Sequence, residues 1–347
     1  MTGTTTMAPG TAAEASGRSS TTMTVAAAIN RGLRKALEDD PRVVLFGEDI
    51  GALGGVFRIT DGLQKDFGDQ RVIDAPLAEA GIVGTGIGMA MSGLRPVLEM
   101  QFDAFTFPAY DHIVSQMAKL HYRTGGHLNL PMVIRIPFGG GIGSPEHHSE
   151  SPEAVFAHHA GLRIMAPGTP HDAYWGIQAA IASEDPVIFF EPKRRYWMKG
   201  EVETDPAARG SFGPASGAVV RRPGEDVTLV TYGPLVPTAL DVATAAQDDG
   251  VSVEVVDLRV ISPVDIDTVV TSVRKTGRLV IAHEAPTSFG VGGEIAARVG
   301  EKCFYDLEAP VIRVGGFHTP YPASRSEHHY LPDVDRILDG IDRALEY

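Results

Sequence analysis

Short, unbroken apolar runs recur along this chain, and they restrict its fold more than any other feature. Val43-Val44-Leu45-Phe46, Met132 to Pro137 and Val187 to Phe190 come first. Val227–Thr231, Val253–Leu258, Leu279–Ala282 and Val311–Val314 follow. A strand that is apolar at every position is buried on both faces, which is the environment of a parallel sheet covered by helices. Helical patterns fill the intervals. They cover Val25–Glu38, with Thr24 as N-cap, then His171–Ala182, Val236–Gln247, Asp265–Lys275, Glu294–Glu301 and Asp333–Leu345. The alternation predicts an α/β protein with mainly parallel sheets.

At 347 residues the chain is long enough for two such domains. Residues 201–225 carry Pro206, Gly210, Gly213, Pro214, Gly217, Pro223 and Gly224 with few bulky apolar side chains, and read as an interdomain linker. Domains are therefore expected over 23–200 and 226–347. Residues 1–22 are rich in Thr, Ala, Gly and Ser and read as a disordered tail. The net charge of −14 argues against a nucleic-acid partner. The single cysteine, Cys303, excludes internal disulfides and a cysteine-based metal cluster, and suits a reducing compartment. No apolar run reaches membrane-spanning length. A cytoplasmic protein without a membrane partner is expected.

Ligand sites in open parallel sheets lie beyond the C-terminal ends of strands. Four stretches occupy such places. Glu48 follows the Val43–Phe46 strand. Glu79 opens a helix after the Arg71–Asp74 strand, in Asp74-Ala75-Pro76-Leu77-Ala78-Glu79-Ala80-Gly81. A first-turn glutamate is ordinarily a dipole partner, but its neighbours here are nearly all apolar or glycine. After the Arg95–Phe102 strand comes an aromatic cluster, Phe102, Phe105, Phe107 and Tyr110, suited to a core or to clamping a flat heterocycle. A helix is expected over Pro108–Tyr122. The Met132–Pro137 strand leads into Gly139-Gly140-Gly141-Ile142-Gly143 and then His147-His148-Ser149-Glu150. The glycines let the backbone approach a ligand. A histidine beside them suits proton transfer better than metal binding, because zinc-ligand spacing is absent. Glu191 to Tyr196 forms a basic turn that could meet an anion or a partner. The glycines at 81, 84, 86, 88 and 93 lie within a helix and do not spell a dinucleotide fingerprint; they suit close approach of another subunit.

There is no nucleophile elbow, no P-loop and no Gly-Asp-Gly diphosphate motif. A phosphorylated cofactor would need its phosphates held by another chain. The chain resembles the beta subunits of 2-oxoacid dehydrogenase complexes. The resemblance rests on Phe46-Gly47-Glu48-Asp49, Gly54-Gly55-Val56-Phe57-Arg58, Pro76-Leu77-Ala78-Glu79, Glu99-Met100-Gln101-Phe102 and His148-Ser149-Glu150-Ser151-Pro152-Glu153. It extends through Phe189-Phe190-Glu191-Pro192-Lys193, Val256-Asp257-Leu258-Arg259, His283-Glu284-Ala285-Pro286 and Leu307-Glu308-Ala309-Pro310. The matches run in order from Thr24 to Tyr347.

The resemblance implies a transketolase-like pyrimidine-binding domain followed by a transketolase C-terminal domain. It implies thiamine diphosphate as cofactor, with Mg²⁺ and the diphosphate held by an alpha subunit in an α₂β₂ heterotetramer. Glu79 matches the acid that hydrogen-bonds a ring nitrogen of the aminopyrimidine. Phe105 matches the aromatic stacked on that ring, and Leu77 and Gln101 line the same pocket. His148, rather than His147, matches the active-site histidine of the family's His-Ser loop, and is suited to give a proton to a lipoyl sulfur as its disulfide opens. Glu48 matches an acid of a proton relay between active sites. No metal ligand is assigned to this chain; a structural potassium is possible, but Ala180, Ser183 and Asp185 differ from the relatives that bind one. The implied reaction is oxidative decarboxylation of a 2-oxoacid with acylation of a lipoyl group on an acyltransferase core. The Gly54–Arg58, Gln101–Asp103 and Ser151–Glu153 stretches look more like branched-chain enzymes than mammalian pyruvate dehydrogenases, giving 3-methyl-2-oxobutanoate as expected substrate. Pyruvate and acetoin dehydrogenases are alternatives, and a non-catalytic scaffold is an alternative of another class.

Overall fold

The computed structural model describes residues 20–209 and 217–347. Its first part runs β1 (Ser20–Thr24), α1 (Val25–Asp39), β2 (Val43–Gly47), α2 (Leu63–Phe67), β3 (Val72–Asp74), α3 (Glu79–Met91) and β4 (Arg95–Glu99). It continues with α4 (Leu120–Arg123), β5 (Val133–Phe138), α5 (Glu153–Ala157), β6 (Arg163–Met165), α6 (Pro170–Ala182), β7 (Val187–Pro192) and β8 (Lys199–Glu203). The second part runs β9 (Val219–Arg222), β10 (Val227–Thr231), α7 (Val236–Asp248), β11 (Val253–Asp257), β12 (Val260–Ser262) and α8 (Ile266–Thr276). It ends with β13 (Leu279–Pro286), α9 (Val291–Cys303), β14 (Ile312–Gly316), α10 (Glu327–Tyr330) and α11 (Val334–Leu345).

Two sheets carry the fold. A seven-stranded sheet has the order β12-β6-β7-β5-β4-β2-β3, and a five-stranded sheet the order β14-β13-β10-β11-β9. Every apolar run named above supplies a strand of one of them, and the pairings between those runs are parallel. The expected α/β class is therefore the one observed. Antiparallel pairs occur at the margins, where β9 joins β11 and β12 joins β6. Because β12 comes from the second part and pairs in the first part's sheet, the two halves are stitched edge to edge.

Helix α1 starts where expected, with the Thr24 hydroxyl accepting from Ala27 N. The tail expected over 1–22 lies outside the described residues except for Ser20–Thr22, which form part of β1 and pair with β8. The β-branched threonines suit that edge strand, a local signal that the Ser/Thr composition obscured. Residues 210–216 of the expected linker also lie outside the described residues. Its flanks are built into structure, as the end of β8 and as β9. The helix expected over Pro108–Tyr122 is broken instead. Residues Asp103–Ala109 form a 3₁₀ helix, His112–Met117 a π turn, and only Leu120–Arg123 an α-helix. Pro108 has no N–H to give an α ladder, and Ala118 N bonds back to Ile113 O, one residue beyond the α spacing. No helix among the described residues is long and apolar enough to cross a membrane.

A buried charge network floors the seven-stranded sheet. Arg135 on β5 bonds bidentately to Glu191 on β7, at 2.7 and 3.0 Å, and pairs with Glu99 on β4. Tyr196 donates to Glu191 at 2.6 Å. All four side chains are buried, and burial pushes the Glu99 carboxyl above its usual range. Removing one partner of a buried cluster leaves uncompensated charge. Arg135→Met is therefore expected to destabilise the fold by about 3–5 kcal/mol. Urea denaturation of both proteins would check this, and a loss under about 1 kcal/mol would show that the network carries little net stability.

Candidate active site

The chain leaves β2 for β3 on one side of it and returns to β4 on the other, so the connections diverge at the C-terminal ends of β2 and β4. A ligand crevice is expected at such a switch point. Five neighbouring strands, β3, β2, β4, β5 and β7, release their loops along this edge. Glu79, Glu48, Gln101, Phe105 and His148 all come from those loops.

Glu48 lies directly after β2. Gly47 makes this possible, since a Cβ there would stand 2.9 Å from Glu99 O on the neighbouring strand. Glu48 is 6% exposed, and its Oε1 is buried with no hydrogen-bond partner. Ala78 N–H donates to its carboxyl. Burial, and then the adjacent charge of Glu79, push Glu48 above the usual carboxylate range. The sequence placed Glu79 among apolar walls, where desolvation would act on it. The structure corrects this: Glu79, first residue of α3, is half-buried, and the desolvated acid is Glu48. Sequence neighbours do not enclose a side chain at a helix start, because they point away around the turn. The two acids are brought together as an inner and an outer carboxyl.

Leu77 is 80% exposed. Gln101 is half-buried and donates to Asp49 Oδ2 at 3.2 Å. Asp49 adopts φ 57°, which turns the chain sharply after Glu48. The aromatic cluster divides. Phe102 stacks on the His148 ring, with centroids 3.8 Å apart and planes 19° from parallel. Phe105 meets Phe102 and His148 edge-on, at 5.8 and 5.3 Å. Phe107 is 44% exposed and packs near Tyr110 instead. His148 Nε2 is buried without a partner. Burial, the neighbouring His147 and the Lys193 ammonium hold His148 below the usual histidine range. The adjacent His147 is exposed.

Two residues that sequence reasoning did not place in the site support it. Asp103 and Lys193 form a fully buried ion pair at 2.8 Å. Lys193 Nζ stands 6.0 Å from the Phe102 ring centroid, and Asp103 Oδ2 accepts from Glu150 N at 2.9 Å. The basic turn 191–196 is thus no open anion site. Glu191 binds Arg135, Lys193 binds Asp103, Arg194 binds Glu284 and Arg195 bonds to Pro234 O and Thr238. Its charges are consumed internally, joining the two domains. The acid at 191 and the lysine at 193 are separated by one residue at a strand's end, which is the signal that could have marked them as inward-pointing.

His283, on β13, is buried and faces α9. Its Nδ1 faces Ala285 O at 2.9 Å and its Nε2 accepts from Gly292 N at 3.2 Å, so the ring is neutral with the proton on Nδ1. Burial lowers its pKa to about 4. Among the described residues no group of three or more His, Cys, Asp or Glu side chains is arranged to hold a metal ion.

Fold and site together define a transketolase-type protein of two domains. Residues 21–198 match the transketolase pyrimidine-binding domain, and residues 216–337 the transketolase C-terminal domain. A split-gene transketolase, solved as an inactive beta4 tetramer, superposes with a TM-score of 0.72 over 93% of this chain and 98% of its own, at 20% identity. That likeness concerns the fold alone.

Closer relatives narrow the class. The chain is 58% identical to the pyruvate dehydrogenase E1 component subunit beta of Leifsonia xyli, over 92% of this chain and 94% of that protein. It is 50% identical to the 3-methyl-2-oxobutanoate dehydrogenase subunit beta of Mycobacterium tuberculosis, over 93% and 92%. It is 43% identical to the 2-oxoisovalerate dehydrogenase subunit beta of Pseudomonas aeruginosa, over 94% and 96%. The chain belongs to the family of E1 beta subunits of 2-oxoacid dehydrogenases.

Proposed function

We propose that this beta subunit joins an alpha subunit in an α₂β₂ heterotetramer that decarboxylates 3-methyl-2-oxobutanoate and its homologues and passes the acyl group to a lipoyl group on an acyltransferase core. The observation that carries the reading is the pair of acids at the switch point, buried Glu48 behind half-open Glu79. The residues fit thiamine diphosphate. Glu48 Oε1 and His148 Nε2 are buried polar atoms without partners in this chain, and half-buried Phe105 meets the His148 ring edge-on. Glu79 would hold a ring nitrogen of the aminopyrimidine, Phe105 its face, and Leu77 and Gln101 the pocket wall. When bound, the cofactor supplies the electron sink for decarboxylation.

This chain's residues contribute proton control and a dry wall. Glu79 keeps a proton at the ring nitrogen. Glu48 holds a proton more readily than an exposed carboxyl, because burial and then the neighbouring Glu79 charge push it above its usual range. His148 Nε2 delivers a proton to the lipoyl sulfur as the lipoyl disulfide opens, while the Phe102 face fixes the imidazole plane. The alpha subunit holds Mg²⁺ and the diphosphate. The face that docks it includes α3, where a Cβ at Gly84 or Gly88 would meet nothing within 4 Å and Met91 is 53% exposed, and the turn before α3, where Leu77 is 80% exposed.

The branched-chain preference is supported by the Gly54–Arg58, Gln101–Asp103 and Ser151–Glu153 stretches, and relatives carry both substrate names. With the cognate alpha subunit present, kcat/KM is expected to be at least about tenfold higher on 3-methyl-2-oxobutanoate than on pyruvate, a difference of the size that a few methylenes produce in a fitted pocket. The reverse order would assign the chain to pyruvate dehydrogenation. Calorimetry should detect thiamine diphosphate binding only when alpha is present. No binding to the assembled pair would favour a scaffold.

A further inference from the structure

The glycine-rich loop between β5 and His148 reads in the sequence as a place where a ligand meets the backbone. In the structure the second domain makes that approach. Glu327, at the start of α10, accepts from Gly141 N at 3.1 Å and from Gly143 N at 3.0 Å, one carboxylate oxygen to each. Tyr321 donates to Glu327 at 3.0 Å and accepts from Gly141 N at 3.2 Å. Glu284, held by Arg194 at 2.6 Å, accepts from Gly140 N at 3.2 Å. The close packing demands the glycines: a Cβ at Gly140 would stand 1.9 Å from the Tyr321 hydroxyl oxygen, and Gly141 and Gly143 have φ of 87° and 73°.

The far end of the loop is held by the first domain. Gly139 N donates to Glu150 O at 2.8 Å, which closes the base of the loop, and Glu150 N donates to the buried Asp103 carboxylate. His148 lies between these anchors. Its own side-chain nitrogens make no hydrogen bond that would fix them, since Nε2 is unpartnered and the ring is located by stacking on Phe102. Its placement therefore depends on the backbone of the loop that carries it. Hydrogen bonds from backbone N–H to a carboxylate are charge-assisted and directional, and Glu327 takes two of them where Glu284 takes one, so it is the main anchor on the glycine side.

We infer that Glu327 is a positioning residue for His148, by which the second domain sets the geometry of acyl transfer to the lipoyl group. This rests on the function proposed above. Glu327 touches neither the Glu48–Glu79 acids nor the Phe102–Phe105 pair, so decarboxylation has no need of it.

The test uses the full heterotetramer with wild-type, Glu327→Gln and Glu327→Ala beta chains. The Gln variant keeps the side-chain shape and one acceptor oxygen, so it stays informative if the Ala variant folds poorly. Amide hydrogen exchange over residues 139–150 should accelerate by about tenfold in Glu327→Ala and less in Glu327→Gln. The kcat/KM for a free lipoyl domain should fall by at least about tenfold in Glu327→Ala, as expected when a reacting group is misplaced, with turnover on an artificial electron acceptor held within about twofold. Unchanged exchange would overturn the inference, as would accelerated exchange with unchanged lipoyl acylation. An equal fall in both activities would also overturn it. A wild-type tetramer inactive on every 2-oxoacid would refute the proposed function instead, and the exchange measurement, which needs no turnover, keeps the two failures apart.

Discussion

Glu79→Gln is expected to reduce 2-oxoacid decarboxylation by the reconstituted heterotetramer by ~10²–10⁴-fold, the usual contribution of a positioned acid or base. Glutamine matches glutamate in size and can still hydrogen-bond a ring nitrogen. It cannot carry or release a proton at catalytic pH. Cofactor affinity should therefore change little while kcat collapses, the signature of an interaction needed in the transition state. The neighbouring acid cannot substitute. Glu48 is buried, with Ala78 N–H bonded to its carboxyl and its Oε1 sealed from solvent. Removing the Glu79 charge also removes one of the causes that hold Glu48 above the carboxylate range, so Glu48 should ionise at lower pH in the variant. Stopped-flow decarboxylation assays with calorimetric cofactor titration would check both parts. Near-normal turnover would sink the assignment.

His148→Ala should divide the reaction differently. Lipoyl acylation is expected to fall by ~10²-fold or more, while decarboxylation coupled to an artificial acceptor falls far less. The side chain is held below the ordinary histidine value of 6.5 by burial, His147 and Lys193, so it is mostly neutral at pH 7. A group that must deliver a proton becomes more effective as its protonated fraction grows. Lipoyl acylation should therefore rise as pH is lowered from 7 through the region below 6.5, and the alanine variant should lose that rise. Equal losses in both assays, or an unaltered pH profile, would argue against this role. The platform offers a further control, because Phe102 stacks on the imidazole and Lys193 stands beyond that ring.

The parts of the fold that depend on local pattern were legible. Continuous apolar runs named seven of the twelve strands of the two main sheets, β2, β5, β7, β10, β11, β13 and β14, and Thr24 marked the start of α1. The break after Pro108 was not, because a proline near a helix start is ordinary and only packing decides whether the next turn tightens or widens. Nor were β9 and β12 as edges, since their partners come from sequence-distant strands. At the site, Glu48, Glu79, Phe105 and His148 stood out because each follows a strand on one sheet edge, while Gln101 was named only through the family resemblance. Their environments were not legible. Burial of Glu48 rather than Glu79, and capture of the basic turn by Asp103 and Glu284, depend on side chains distant in sequence.

The stretch from Asp74 to Glu79 and the glycine loop before His148 illustrate the division. Their residue types alone establish a carboxyl at a helix start and a backbone free to turn, because propensity and periodicity act over a few neighbours. Tertiary structure decided which carboxyl loses its water and which group fills the space above the glycines. It buried Glu48 next to Glu79, and placed Glu327 rather than a ligand against Gly141 and Gly143. Desolvation and hydrogen-bond partnership are properties of what surrounds a group in space, and here most of those surroundings come from elsewhere in the chain.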